Sequence, residues 1–83
     1  MYTYAQLQSI QPGVTRRDEI LKTFGEPRDV DISDTYIEPN APKVRLERLS
    51  YSRNSYVYGE PVGTEMLTIE LTNGVVRAFQ KSR

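Results

Sequence analysis

Apolar residues recur at helical spacing in the first third of the chain and at strand spacing in the last third, with a weakly patterned stretch between. Tyr4, Leu7 and Ile10 follow Thr3, and Thr3 with Gln6 has the form of a capping box. The spacing predicts a short helix over residues 4–10. Gln11-Pro12-Gly13 ends it, because Pro12 has no N–H for a helical ladder and Gly13 accepts a positive φ. Ile20, Leu21 and Phe24 form a second apolar stripe. Thr15 is the predicted N-cap of that helix, accepting from the Asp18 amide while Asp18 reaches back. Gly25 is predicted to close it with left-handed backbone, and Pro27 follows.

Beyond the helices, Val30 and Ile32 alternate with aspartates, the pattern of a short strand or an extended segment, and residues 38–42 read as a loop. In the strand predicted over 44–53, Val44 and Leu46 lie on one parity and Leu49 and Tyr51 on the other. That switch predicts a bulge near Glu47-Arg48. Gly59, Pro61 and Gly63 argue against a long strand after it, leaving a connection with a short extension at Tyr56 to Tyr58. The clearest element is a hairpin about Asn73-Gly74, the preferred type I′ pair. A two-residue loop sets Leu71 against Val76, Glu70 against Arg77, Ile69 against Ala78 and Leu67 against Gln80. Leu67, Ile69, Leu71, Val76 and Ala78 then share one face, and Met66, Val75 and Phe79 fall on the more polar one. The expected fold is α+β, a two-layer sandwich of two short N-terminal helices on a three-stranded antiparallel meander. At 83 residues the chain is a single domain, 1–83.

Composition narrows the chemistry. There is no histidine and no cysteine, so the commonest general base, zinc ligands and any disulfide are missing together. Ser50, Ser52 and Ser55 have no histidine to activate them. Asp29, Asp31 and Asp34 lack the glycine and closing glutamate of a calcium loop. No catalytic residue, metal site or cofactor is predicted. Eleven acids balance eleven bases, which argues against nucleic acid as a partner. The charge is unevenly placed, with acids concentrated over 26–38 and bases over 43–53. No apolar run approaches the length of a bilayer span.

Pro12-Gly13-Val14-Thr15, Glu19-Ile20 and Phe24-Gly25-Glu26-Pro27 follow the pattern glycine-hydrophobic-Thr/Ser, acidic-hydrophobic, hydrophobic-Gly-x-Pro. This segment resembles the SmpA/OmlA (BamE-like) family of small outer-membrane lipoproteins. Leu49-Ser50-Tyr51 and the strand–turn–strand from Leu67 to Phe79 are similar in order to that family's later elements. The resemblance implies a periplasmic, non-catalytic accessory or scaffold in outer-membrane protein assembly or envelope integrity. It also implies an anchor through a lipidated cysteine and a signal peptide upstream of residue 1; the alternative is a cytoplasmic protein. Gly13, Thr15, Gly25, Pro27, Asn73 and Gly74 are the structural motif residues. The candidate partner-binding residues are Arg48, Tyr51, Arg53, Tyr56, Tyr58, Met66 and Phe79, since tyrosine and arginine are favoured interface anchors. A second expectation is an inhibitor-type domain resembling β-lactamase inhibitory protein, which would occlude a partner enzyme.

Overall fold

A computed structural model describes residues 2–36 and 38–82, with the side chains of residues 55, 56, 61 and 62 outside the described set. The elements run α1 (Tyr4–Gln8), α2 (Arg17–Phe24), β1 (Asp29–Thr35), β2 (Val44–Val57), β3 (Glu60–Thr72) and β4 (Val75–Ser82). The strands form one antiparallel sheet in the order β1-β2-β3-β4. The fold is therefore α+β with two short helices, as expected, but the sheet has four strands rather than three. The additional strand is β1. Its residues are exposed from Asp29 to Asp34, and the two apolar positions Val30 and Ile32 are too few to separate a strand from an extended segment.

One sheet face is covered. Leu49, Tyr51, Leu67, Ile69, Leu71 and Val76 point into a core completed by Tyr2, Ile10, Ile20 and Phe24 from the helical layer. Tyr2, Phe24 and Tyr51 pack in series, edge to face and then tilted, with ring centroids 6.0 Å and 5.7 Å apart. Thr3 caps α1 as expected: its hydroxyl accepts from the Gln6 amide, and the Gln6 side chain accepts from the Thr3 amide. The helix ends at Gln8 rather than residue 10.

Thr15 has a different role from the predicted one. The helix begins at Arg17, and Glu19 accepts from the Arg16 amide at its N-terminus. The buried Thr15 hydroxyl instead accepts from the Gln11 amide at 2.8 Å and donates to the Ser9 carbonyl at 3.0 Å, closing the turn between the helices. The Thr15 carbonyl accepts from the Val76 amide, the Gly13 amide donates to the Val76 carbonyl, and the Arg17 amide donates to the Gly74 carbonyl. Residues 13–17 thus run along the start of β4 and satisfy part of its edge. Gly25 has the expected positive φ of 82°, but its ψ of −157° is extended rather than left-handed helical, a region open essentially to glycine alone.

The strand registers depart from expectation in three places. There is no bulge at Glu47-Arg48: β2 pairs without a break from Val44 to Ser55, and its register shift lies between Ser55 and Tyr56. Leu46 faces the open side, and Glu47 takes the inward position two residues before Leu49, where it meets Arg17 of α2. On the last hairpin Thr72 faces Val75 and Leu71 faces Val76 as expected, but a bulge then leaves Arg77 unpaired. Ala78 opposes Glu70, Phe79 opposes Ile69, Gln80 opposes Thr68 and Lys81 opposes Leu67. The inserted residue exchanges the faces of everything beyond it. Finally, β3 runs through Pro61 and Gly63. Residues 53–64 form a two-stranded arm beyond the span paired by β1, and the molecule is 56 Å long against 20 and 18 Å across. Each strand of such an arm has a free edge, where a proline without an N–H is tolerated beside a bulge.

Candidate functional site

The helices leave the second sheet face open, and cross-strand pairing assembles a row of charge on it. Asp31 opposes Arg48 and Arg48 opposes Glu70. Glu70 lies 3.5 Å from Arg48 and 3.7 Å from Arg77, the bulged residue, whose guanidinium reaches back to the open face. Leu46 and Thr72 lie alongside, and together these residues line a shallow groove of about 370 Å³. Ser50, Ser52, Thr68 and Met66 extend the surface toward the arm. The acidic and basic stretches of the sequence are adjacent strands here, with Asp34 opposite Arg45 as well.

On the covered face two carboxylates are buried, and each is compensated. Glu47 accepts from Arg17 Nε of α2 at 2.8 Å, and that hydrogen bond raises the arginine's already high pKa. Glu65 accepts from the Tyr2 amide at 2.9 Å and lies 3.7 Å from Lys81 Nζ. The Tyr2 hydrogen bond, with Lys81 assisting against burial, holds the Glu65 carboxyl below the usual carboxylate range. Neither partnership was predicted from the sequence. The signal for Glu47 was its parity: alternation that sends Leu49 and Tyr51 inward sends Glu47 inward too.

The candidate partner-binding residues separate. Tyr51 belongs to the core, 5 % exposed; its hydroxyl donates to the Gly25 carbonyl at 2.9 Å, and burial pushes its phenol up to about 12. Arg53 lies over the Tyr2 ring at 4.7 Å and closes the covered face. Phe79 shares that face through the bulge, 37 % exposed. Arg48 and Met66 lie together on the open face. Tyr58 stands fully exposed at the arm tip, and the side chain of Tyr56 lies outside the described residues. Among the motif residues, Gly13, Thr15 and Gly74 meet at the start of β4, while Gly25 and Pro27 lead from α2 into β1.

No group of three or more His, Cys, Asp or Glu side chains able to hold a metal occurs among the described residues, and no described helix is long and apolar enough to cross a membrane. Comparison with known proteins finds no matching family model, no matching curated protein and no matching solved structure.

Proposed function

We propose that this domain is a non-catalytic protein-binding module, an accessory or scaffold of the SmpA/OmlA kind. It acts on the periplasmic side of the outer membrane in protein assembly or envelope integrity, and an upstream lipidated cysteine holds it there. The observation that carries this reading is the sheet covered on one face only. Its open face presents Arg48, Glu70, Arg77 and Met66 in one accessible plane, a mixture of charge and apolar contact suited to a protein surface. Nucleic acid is disfavoured as a partner, because Arg17, Arg48, Arg77 and Lys81 each face a glutamate.

The test is capture from host envelope with a photo-crosslinker at Arg48. Recovery of an outer-membrane assembly component, lost in a variant carrying Glu70→Lys, is the expected result. Equal recovery with and without the open-face substitution, or none, contradicts the reading. A second reading is favoured by the arm: a narrow ribbon tipped by an exposed tyrosine can enter a cleft, as an enzyme inhibitor would. Titration against candidate hydrolases, with unchanged activity at excess domain, removes it.

A further inference from the structure

The sheet has two edges, and the chain treats them differently. Residues 13–17 hydrogen-bond to the start of β4. Among the described residues β1 pairs only with β2, so alternate N–H and C=O groups along Asp29–Thr35 face outward from the sheet. The Arg17 side chain of α2 comes near this edge, lining a cleft with Ile32 and Arg45. Val30 and Ile32 share the covered face with Leu49 and Glu47 yet remain 42 % and 50 % exposed. The opposite face of the same strand carries Asp29 and Asp31, while Asp34 lies on the covered face opposite Arg45, and the strand itself has no basic residue.

We propose that β1 is a strand-addition site that takes an extended segment of a partner protein, with apolar side chains on one face and lysine or arginine on the other. This rests on the protein-binding reading above and names its partner's chemistry. Main-chain hydrogen bonds to the free edge supply the attachment. Apolar residues of the incoming strand continue the covered face past Val30 and Ile32, and its bases lie beside Asp29 and Asp31. A second copy is a poor occupant. An antiparallel seam of two β1 strands lines up the three aspartates of each copy, two on the open face and one on the covered face, with no base in either strand, a pattern that disfavours self-pairing.

The experiment adds a peptide of alternating valine and lysine, matched in length to β1, to the isotopically labelled full chain and follows backbone amides by NMR. The expected result is saturable shifts confined to β1 and the helix-side residues next to it. Hydrogen exchange of the outward β1 amides slows about tenfold or more at saturation, and affinity falls as salt screens the aspartates. An analogue with glutamate in place of lysine, and one N-methylated at alternate amides, leave β1 unshifted. The inference is overturned if the lysine peptide leaves β1 unperturbed or perturbs the open face instead. Binding by the N-methylated peptide overturns it too, as does protection of β1 that rises with protein concentration alone. Envelope capture through Arg48 reports on the broader reading separately: a captured partner with no peptide at β1 removes only this inference.

Discussion

Asn73-Gly74 and Tyr58-Gly59 close two hairpins with nearly the same backbone, φ 50° and 83° in one turn and 52° and 81° in the other. Both have the positive φ pair of a type I′ reversal. Around Asn73-Gly74 the body of the protein closes. The Asn73 amide donates to the Arg45 carbonyl, its side-chain oxygen accepts from the Arg45 amide, and the Gly74 carbonyl accepts from the Arg17 amide. One turn thereby ties β2, the last hairpin and α2 together. Tyr58-Gly59 has solvent around it, with Tyr58 fully exposed. Asparagine tolerates positive φ readily, whereas tyrosine does so at a cost of order 1 kcal/mol. The difference teaches that turn geometry reverses a chain, while the hydrogen bonds around the turn decide whether it joins the cooperative unit. By that criterion the arm beyond Arg53, whose side chain packs on Tyr2, is an appendage and the rest of the sheet is the folding body.

Substitutions sharpen the contrast. The largest effect is expected from Ile69→Ala, which empties a fully buried position and should cost about 3 kcal/mol by denaturant titration. Val57→Ala on the arm should change stability by less than about 0.5 kcal/mol. Comparable losses at both sites would erase the distinction. Next, Gly74→Val should destabilise by more than about 1 kcal/mol, because it forces a branched residue to positive φ inside the body. Gly59→Val carries the same local strain but should leave the global melting midpoint nearly unchanged, since the arm can open alone. Smaller again, Asn73→Ala should cost about 1 kcal/mol through its lost hydrogen bond and less favourable φ.

The pH dependence adds a direction. Tyr51 in the folded body holds its proton up to about pH 12, against 10.0 ordinarily. Above pH 10 the unfolded chain releases that proton and the folded one retains it, so the unfolded state binds fewer protons and stability falls as pH rises toward 12. Denaturant midpoints between pH 9 and 12 test this, and Tyr51→Phe should flatten the decline. For Glu65 the sign is opposite: its lowered pKa contributes stability above the ordinary carboxylate range that is lost as pH falls.

What was legible in the sequence is what local chemistry determines. The Thr3 cap, positive φ at Gly13 and Gly25, the Asn73-Gly74 turn and the buried run Leu67, Ile69, Leu71 and Val76 all stand where short-range pattern placed them. The misses have physical reasons. β1 is an exposed edge strand, so the short alternation of Val30 and Ile32 with aspartates leaves a strand and an extended segment equally open. The arm contains Pro61 and Gly63, which weaken a central strand but are harmless in a free ribbon. The bulge at Arg77 depends on packing across two strands, and it moves Phe79 from the open face to the covered one. Glu47 had the parity of a core residue and the chemistry of a surface one, and its Arg17 partner lies thirty residues away. Of the candidate surface, the expected register sets Arg77 opposite Glu70; the bulge puts Ala78 there instead, and Arg77 reaches Glu70 only through its side chain at 3.7 Å. Asp31 and Arg48 join it only because β1 and β2 pair over a long loop.

Native-state hydrogen exchange tests the division between body and arm most directly. Amides at Leu49, Ile69 and Leu71 are expected to exchange only through global unfolding, with protection that falls in step with stability as denaturant is added. Amides of residues 55–62 are expected to exchange by local opening, at least about a hundredfold faster and almost independent of denaturant. Equal protection along the whole of β2 and β3 would contradict the account, because the arm would then be part of the cooperative body.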